Sequence, residues 1–495
     1  MHSQIPTALF SRCDKLLLLF FLLTLPLANP WVRGDGVGYY AYARALLFQH
    51  NLRFEKDWLA ANPTFRMGRV DPAGRIYPEQ YTATGHLNNH FSIGPALLWM
   101  PILAVTHMGV VTANTLGARL PPDGLSRPYI VAMALATSLY AFLGLWLTFR
   151  VARGYFDEHW AFLATVGIWL GTSLPVYMYF NPSWSHAHSV FAVGLFLWYW
   201  ERTRSGPAPF GLLRTGRQWA VLGLLSGLMM NVYYPNGVLM LIPAVEALGD
   251  YRRAWRGAAR RLPVFAGLSA RHALYVAMAL AGFLPTLIAK KIIFGNAFEL
   301  GYTEEWHWSS PALLQVLFSS NHGLLSWTPI LILAIVGLLL CARYDRRMAL
   351  CLLAGFLGFY YFIASYTTWH GLSSYGNRFF VSLTPLFVLG LAATLQALDR
   401  WFASVSSALY TLSLVILLFI AWNVGFLFQW GTHMIPVRGP IVWREMVYNQ
   451  VYVVPGRIVR SVAGYLTGRR AMMDEIEQRD KQHLESQEPA KKQNE

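Results

Sequence analysis

A single carboxylate, Asp35, lies between two glycines directly after the first long apolar run of the chain. A carboxylate can accept the proton of an attacking hydroxyl group, which makes Asp35 a candidate general base. The flanking Gly34 and Gly36 would let a ligand approach the backbone closely. The alternative is structural, because Asp35 can also cap a helix that begins near Val37, where the helix dipole favours a negative charge. Capping and catalysis do not exclude one another.

Further candidate binding residues carry aromatic rings, imidazoles, amides or charges. Aromatic rings with Asn and His suit sugar faces and hydroxyl groups, whereas Lys and Arg suit a phosphate or diphosphate. These candidates are Tyr39, Tyr40, Arg44, His86, His90, His186, Lys290, Lys291, Glu304, His322, Trp369, Asn377 and Arg378. The aromatic belt of an ordinary membrane protein would explain many of the rings, but it would not explain the His and Asn residues.

Three of the cations occupy unusual positions at the ends of apolar segments. Lys290 and Lys291 lie near the outer end of one segment, and Arg378 begins another. Cations partly within a membrane are costly and usually face a partner or a water-filled cavity. Together they could hold the phosphate of a lipid. Alternatively, their side chains extend to the headgroups of the outer leaflet.

The sequence does not indicate a metal or a cofactor. His86/His90 and His186/His188 have spacings that a metal ion could use, but no carboxylate or third ligand stands beside them. The spacing of the cysteines is typical of neither a metal site nor a disulfide framework. These cysteines are Cys13, Cys341 and Cys351. No Gly-rich phosphate loop indicates a nucleotide site, so we expect neither a metal nor a cofactor.

The composition is that of a polytopic membrane protein. Hydrophobic residues make up 55% of the chain and charged residues only 13%, whereas a soluble protein carries roughly a quarter charged residues. The net charge of +15 is mostly arginine at the ends of apolar segments, where it sets orientation. It therefore does not indicate a nucleic-acid partner, and the bilayer is the expected environment.

The apolar runs predict an all-α transmembrane bundle of about eleven spanning helices, in a range of roughly ten to thirteen. The first run, 16–27, could be a cleaved signal peptide, but a signal anchor fits better because the chain remains in the membrane afterwards. The other predicted spans are 128–150, 160–180, 186–200, 217–234, 236–249, 272–294, 323–341, 347–365, 378–397 and 404–427.

Clusters of arginine in alternate loops predict the orientation. These loops are cytoplasmic by the positive-inside rule, and so is the N-terminus. The stretch 32–127 must then lie outside, and its apolar piece 90–111 is a broken or interfacial segment, because it contains Gly94-Pro95 and Pro101. We divide the chain into a transmembrane domain (1–430), an interfacial segment (431–468) and a charged, disordered tail (469–495). The tail lies outside in this scheme, and a weak twelfth crossing would reverse that.

Several short motifs resemble one superfamily of membrane enzymes. They are Asp35 after the first spanning helix, the Tyr-rich helix that follows, Gly94-Pro95, GNRFF at 376–380 and LFSSNHGLLSWTP at 317–329. With them, most of 15–430 resembles the GT-C membrane glycosyltransferases, and specifically bacterial proteins of the dolichyl-phosphate-mannose protein mannosyltransferase and aminoarabinose transferase (ArnT) type. That family is similar in having interfacial helices in its first external loop.

The resemblance implies a reaction and a place for it. A sugar would move from a polyprenyl-phosphate donor to an acceptor hydroxyl group, with inversion, at the outer face of a bacterial inner membrane. Asp35 would accept the proton, and Lys290 and Arg378 would stabilise the charge that develops on the phosphate. Tyr39, Tyr40 and Trp369 would contact the sugar or the prenyl chain. The acceptor could be a lipid, a glycan or a protein.

One departure from the family concerns the residue after Asp35. The mannosyltransferases usually carry Asp-Glu there, whereas Gly36 follows Asp35 in this chain. A second carboxylate, if one is needed, would have to come from elsewhere, and the sequence offers Glu79, Glu304 or Glu305.

Three other functions remain as alternatives. A transporter would need carboxylates near the middle of the membrane and internal symmetry, and Asp and Glu are nearly absent from the predicted spans. A non-catalytic envelope assembly protein would tolerate Asp35→Asn. A ligase or polymerase of lipid-linked oligosaccharides would use an activated polysaccharide as its donor.

Overall fold

The structure is a computed structural model that describes residues 10–204, 214–257, 261–302, 304–402 and 408–492. In this part of the chain the regular structure is helical, and the β-structure is limited to isolated bridges such as Val70–Ile76. The predicted all-α class is therefore confirmed.

Long helices account for most of the described chain. They are α1 (Arg12–Thr24), α2 (Asp35–Arg44), α3 (Gly94–Thr115), α4 (Arg127–Ala152), α5 (Glu158–Leu170), α6 (His186–Arg202), α7 (Gly216–Val232), α8 (Leu241–Gly257), α9 (Arg261–Phe294), α10 (Ile330–Leu340), α11 (Arg346–Ala364), α12 (Thr384–Trp401), α13 (Ala408–Gly431) and α14 (Val454–Lys492). Short helices lie between them at Glu55–Leu59, Pro63–Arg66, Leu313–Phe318, Leu324–Trp327 and Trp443–Tyr448.

Six helices within the described ranges are long and apolar enough to cross a membrane. They comprise α3, α4, most of α9, α11, α12 with the turn before it, and most of α13. The chain is thus a membrane protein, as predicted. The predicted number of about eleven spans is not confirmed, because the other predicted spans correspond to shorter helices, α1, α5 to α8 and α10.

Helix α3 differs from the broken segment that the sequence predicts. It is continuous over 22 residues, with Pro101 inside it. The Trp99 indole donates to Thr137 Oγ1 at 2.9 Å, and His107 Nδ1 lies 2.8 Å from the Tyr129 hydroxyl. Since Trp99 contacts Thr137 and the later His107 contacts the earlier Tyr129, α3 runs antiparallel to the first half of α4. Of the two alternatives that the sequence leaves open for this segment, a broken helix is wrong, whereas an interfacial location stays a prediction.

Ion pairs connect the loops that the sequence assigns to one side of the membrane. The pairs are Arg153–Asp14, Arg204–Asp345, Arg214–Glu246 and Arg347–Asp250. Arg347 also contacts Glu246 at 3.2 Å, and Arg204 donates to Tyr155, close to Arg153. The arginine clusters of these alternate loops thus meet at one end of the bundle.

Glycines allow several of the helices to pack backbone against backbone. A Cβ added to the first glycine of each pair, or to the second, would lie within 3.4 Å of the other helix. These pairs are Gly144–Gly194 between α4 and α6, Gly227–Gly282 between α7 and α9, and Gly337–Gly390 between α10 and α12. Small residues at helix crossings are typical of membrane proteins, where close packing replaces the hydrophobic effect.

Helix α1 connects the ionic end of the bundle to the region of Asp35. It begins with a capping box, in which the Ser11 hydroxyl accepts from the Asp14 amide and the Asp14 carboxylate accepts from the Ser11 amide. At its other end, Thr24 lies 2.7 Å from the Tyr179 hydroxyl. The chain then turns and enters α2 at Asp35.

The charged tail is helical over residues for which the sequence predicts disorder. Helix α14 extends to Lys492 with one non-helical residue, Gly468. Before this kink Tyr465 donates to the Leu27 carbonyl at 2.8 Å. After it, Glu477 accepts from the Thr64 amide at 2.8 Å. These tertiary partners stabilise a segment whose own composition is too polar to form a core.

Candidate active site

Asp35 is the first residue of α2, and the backbone before it has a conformation that favours glycine. Gly34 has φ of +53°, which a residue with a side chain rarely adopts. A Cβ at Gly34 would also lie 3.2 Å from the Trp184 ring. The Gly34 backbone thus turns the chain so that Asp35 lies in the first turn of α2 with its side chain one-third exposed. The helix begins at Asp35 and has no side-chain capping hydrogen bond, so the capping interpretation is wrong, although the charge of Asp35 is still favoured by the helix dipole.

Arg378 is the ion-pair partner of Asp35. Its Nη1 lies 2.8 Å from Asp35 Oδ2, and its guanidinium stacks on the Trp184 ring at 4.5 Å. The Trp184 indole in turn donates to the main-chain oxygen of Arg33 at 3.1 Å. One ring therefore connects the turn before α2 to the start of the 3-10 turn Arg378–Leu383.

This pair lines a cavity of about 550 Å³. The apolar part of its lining comes largely from α13 and α14, with residues such as Leu427, Phe428, Ile458 and Val462. The charged part comes mainly from the loops, including those around Asp35 and Arg378, and from Asp480 of α14. A mostly apolar cavity with a few convergent polar groups is the usual form of a ligand site.

Positive charge predominates in the lining. Among the described lining residues the arginines are Arg33, Arg69, Arg378 and Arg438, and the carboxylates are Asp35 and Asp480. The guanidinium of Arg438 donates to the Ser373 hydroxyl and lies within electrostatic reach of both carboxylates. Such an excess of guanidinium groups suits an anionic ligand, because each offers several donors in a planar fork.

Two predicted binding residues lie directly behind this pair. The Tyr39 hydroxyl accepts a hydrogen bond from Ser185 at 3.0 Å and is buried. His186 is buried among the rings of Tyr177 and Trp184. Both support the walls of the cavity, and neither is part of its lining.

Other predicted residues of the same region have structural partners away from the cavity. Tyr40 is buried and donates to the Gly124 carbonyl at 2.7 Å. Arg44 is buried in an ion pair with Asp57. The structure therefore does not bring Tyr40 and Arg44 together with Asp35.

Lys290 does not face the cavity either. Its ammonium group donates to the main-chain oxygens of Asn89, Phe91 and Leu300, at 3.0, 3.4 and 3.4 Å. It joins the end of α9 to the loop before α3. Lys291 is exposed and donates to the Gly295 carbonyl at 2.7 Å. Arg378 thus remains at the site, while the two lysines have other roles.

The predicted histidine pair of the external loop is not assembled as a metal site. His86 Nδ1 lies 3.0 Å from the Thr84 hydroxyl. His90 packs between Phe91 and Tyr302, and burial lowers the pKa of its imidazole to about 4. Among the described residues a group with three possible ligands within 4.8 Å does occur, but it contains none of the predicted histidines and lies outside the cavity lining. Its members are Asp157, His159 and Asp399.

The remaining predicted residues lie in the loops around Arg378. Asn377 donates to the Trp369 carbonyl at 3.1 Å, which fixes the loop immediately before Arg378. His322 is buried against Trp327, and burial lowers the pKa of its imidazole to about 3. Glu304 is exposed and outside the cavity lining. These residues shape the site without entering it.

Gly36 has no room for an acidic side chain. A Cβ there would lie 2.5 Å from Ser183 Cβ, closer than side-chain carbons pack. None of the three glutamates that the sequence offers as a replacement belongs to the cavity lining. They are Glu79, Glu304 and Glu305.

Solved structures of two transferases resemble this chain. One is the archaeal oligosaccharyltransferase AglB from Archaeoglobus fulgidus, in complex with an inhibitory peptide and a dolichol-phosphate, with 14% identity over 83% of this chain and a TM-score of 0.47. The chain spans about half of AglB, 54% of its length. The other is ArnT from Cupriavidus metallidurans.

The two ArnT structures each align with 94% of this chain and 73% of their own. The apo state has 14% identity and a TM-score of 0.48, and the form bound to undecaprenyl phosphate has 15% identity and a TM-score of 0.49. No protein-family model matches the chain, and no curated protein does.

Several lining residues were not among the sequence candidates. Trp184 lies two residues from the candidate His186, and Arg33 two residues from the candidate Asp35. This closeness in the sequence could have indicated both residues. Arg438 and Asp480 lie far along the chain. Arg438 belongs to the segment predicted to be interfacial, and Asp480 to the tail predicted to be disordered. No local pattern connects those segments to Asp35, because the connection is made only by tertiary packing.

Proposed function

We propose that this protein is a membrane glycosyltransferase that moves a sugar from a polyprenyl-phosphate donor to an acceptor hydroxyl group. The observation that carries the proposal is the Asp35–Arg378 pair in a cavity with both clustered arginines and an apolar lining. A lipid phosphate needs cations and an apolar surface side by side. A hydroxyl nucleophile needs a carboxylate next to them.

In this mechanism Asp35 accepts the proton of the acceptor hydroxyl as its oxygen attacks the anomeric carbon. A bond forms between that oxygen and the anomeric carbon, and the bond from the anomeric carbon to the phosphate oxygen breaks. The lipid phosphate leaves with the bonding electron pair. Because the nucleophile and the leaving group are on opposite sides of the anomeric carbon, the configuration is inverted.

Arg378 stabilises the charge that the phosphate gains. Its Nη1 is engaged by Asp35, whereas its Nε is buried and has no hydrogen-bond partner within the described structure. The side chain as a whole is 13% exposed and lines the cavity, so a phosphate oxygen would accept from the exposed N–H groups of the guanidinium that Asp35 leaves free. Charge stabilisation of this kind commonly contributes about 3–4 kcal/mol per donor to the transition state. Arg438 and Arg69 add further positive charge in the same cavity.

The prenyl chain would lie along the apolar lining from α13 and α14. Leu427 and Phe428 belong to α13, and Ile458 and Val462 to α14. The part of the donor that lies in the membrane would thus pass between helices. We place this site on the outer face of a bacterial inner membrane, with the N-terminus in the cytoplasm. Lys290 has no role in this mechanism, which is a revision of the role that the resemblance implies.

Binding of undecaprenyl phosphate to the purified full-length protein tests the proposal. Native mass spectrometry in mild detergent would compare the wild type with Arg378→Gln. We expect the wild type to bind the lipid and Arg378→Gln to bind it at least tenfold more weakly. Lys291→Gln is the matched control, since this cation lies outside the cavity. Equal binding by all three proteins would contradict the proposed phosphate site.

A further inference from the structure

Helix α14 places a second carboxylate in the cavity. Asp480 and Asp35 are the acidic residues of the lining within the described chain. Asp480 Oδ1 lies 2.7 Å from His433 Nε2, and its Oδ2 accepts from the Arg33 guanidinium. Arg33 is two residues before Asp35 in the sequence. The tail of the chain is therefore on the same side of the bundle as Asp35.

The position of Asp480 is determined by a contact one turn earlier on the same face of α14. Glu477 Oε1 accepts from the Asn62 amide group and from the Thr64 main-chain N–H, both at 2.8 Å. Residues three apart share a face of a helix. Glu477 docks the helix on the external loop, and Asp480 then points into the cavity, where its side chain is only 14% exposed.

Asp480 is charged in this environment. Burial raises the pKa of a carboxyl group, but the hydrogen bond from His433 and the Arg33 guanidinium more than offset it, and the pKa of Asp480 is lowered. An ionised carboxylate can accept about four hydrogen bonds. With one protein partner on each oxygen, Asp480 can still accept hydrogen bonds from a ligand.

We propose that Asp480 binds the sugar of the donor through its hydroxyl groups and is the second carboxylate of the site. This inference rests on the proposed function. Hydroxyl groups need acceptors, and the other charged lining residues are arginines, which only donate, and Asp35, which is engaged by Arg378. Asp480 thereby supplies an acidic group that the residue after Asp35 cannot, because Gly36 is packed against Ser183.

The test separates recognition of the sugar from binding of the phosphate. For each protein the affinity for undecaprenyl phosphate is compared with the affinity for a panel of undecaprenyl-phosphate hexoses and pentoses. We expect the wild type to bind at least one glycosylated lipid about tenfold to a hundredfold more tightly than the bare phosphate, as for hydrogen bonds to a charged group. Asp480→Asn should lose this ratio and keep its affinity for undecaprenyl phosphate.

Two other variants of α14 distinguish recognition from docking. Glu477→Gln weakens the docking of the same helix on Asn62 and Thr64 and its contact with Arg33, but keeps the carboxylate of Asp480, so the affinity for both lipids should fall together while their ratio is kept. Glu475→Gln changes an exposed carboxylate paired with Arg479 and should alter neither affinity.

Three outcomes would overturn the inference, and a fourth would contradict the proposed function. A ratio that Asp480→Asn retains, or a wild type that binds no glycosylated lipid more tightly than the bare phosphate, would overturn the inference. So would an equal loss of the ratio in Glu477→Gln, because Asp480 would then act only by holding the helix in place. A wild type that fails to bind undecaprenyl phosphate at all would instead contradict the proposed function.

Discussion

Asp35 Oδ2 and Arg378 Nη1 are 2.8 Å apart, although the two residues are far apart in the sequence. Asp35 begins α2, and Arg378 begins the 3-10 turn before α12. Trp184 covers the guanidinium and is itself hydrogen-bonded to the turn that carries Asp35. The proposed base and the proposed phosphate ligand thus form one unit with a shared support. Loss of the Trp184 ring should therefore weaken the support of Arg378.

The first prediction concerns Asp35→Asn. The amide has almost the same shape but cannot accept the proton of the acceptor, so we expect turnover to fall about a hundredfold to ten-thousandfold. Undecaprenyl phosphate should still bind within a few-fold of the wild type. Asp71→Asn is the control, because Asp71 belongs to the same external loop and pairs with the exposed Arg75. Full turnover in Asp35→Asn would rule out its role as the base.

A second prediction concerns the support of Arg378 by Trp184. Trp184→Leu removes the ring beneath the guanidinium, and cation–π contacts contribute about 0.5–2 kcal/mol. We expect the dissociation constant for undecaprenyl phosphate to rise roughly twofold to thirtyfold. Trp184→Phe keeps a ring and should lose less. Trp308→Leu is a matched control, since Trp308 is exposed and stacks on Trp306 outside the cavity. Equal affinities in the two leucine variants would contradict a role for the Trp184 ring.

Much of the fold could be predicted because membrane helices are encoded locally. Apolar length and arginine placement predicted the helical class and the loops that meet at one end. The continuity of α3 could not be read from Pro101, because its neighbours on α4 hold that helix through Trp99 and His107. The helical tail was also missed, since the partners of Glu477 are Asn62 and Thr64.

Of the candidate site, the sequence indicated the central pair, Asp35 and Arg378, but not the other charged lining residues. Asp35 and Arg378 carry unusual charge beside apolar runs, and that signal is visible in the sequence. Lys290 is also an unusual cation beside an apolar run, but its side chain donates to three main-chain oxygens instead of lining the cavity. A cation near a membrane thus indicates a buried partner without saying whether that partner is ligand or backbone. Arg438 and Asp480 required the tertiary structure.

Lys290 provides a third prediction, in which stability and binding separate. Lys290→Met removes the hydrogen bonds to the carbonyls of Asn89, Phe91 and Leu300, although Tyr42 still donates to Asn89 and Tyr234 to Phe91. Each hydrogen bond contributes about 0.5–1.5 kcal/mol, so the melting temperature should fall. The folded fraction should bind undecaprenyl phosphate as the wild type does. The exposed Lys291→Met should change neither property. Normal stability with lost binding would restore Lys290 to the phosphate site.

The fourth prediction is a dependence of stability on pH. Burial lowers the pKa of His90 to about 4, whereas an unfolded histidine has a pKa of about 6.5. The unfolded state therefore binds more protons between these values, and stability should be complete above about pH 6.5 and fall as the pH is lowered towards about 4. Melting temperatures across this range should fall less steeply in His90→Gln. His86→Gln, a change at a half-buried histidine of the same loop, should leave the slope as it is.

The last prediction addresses why Gly36 follows Asp35. Alanine is a better helix former than glycine by about 1 kcal/mol, yet Gly36→Ala would place a Cβ 2.5 Å from Ser183 Cβ. We expect overpacking to prevail and to lower the stability by about 1–3 kcal/mol. Gly109→Ala in α3 is the control, because a Cβ there meets nothing within 4 Å.

The same position allows a double-mutant cycle. Ser183→Gly removes the side chain that a residue at 36 would meet, so adding it to Gly36→Ala should restore most of the lost stability. The coupling free energy of the cycle measures the contact directly. Additive effects would mean that Gly36 is required for another reason, such as the approach of a ligand to the backbone. Strong coupling would mean that packing between α2 and the Ser183 loop excludes a second carboxylate here.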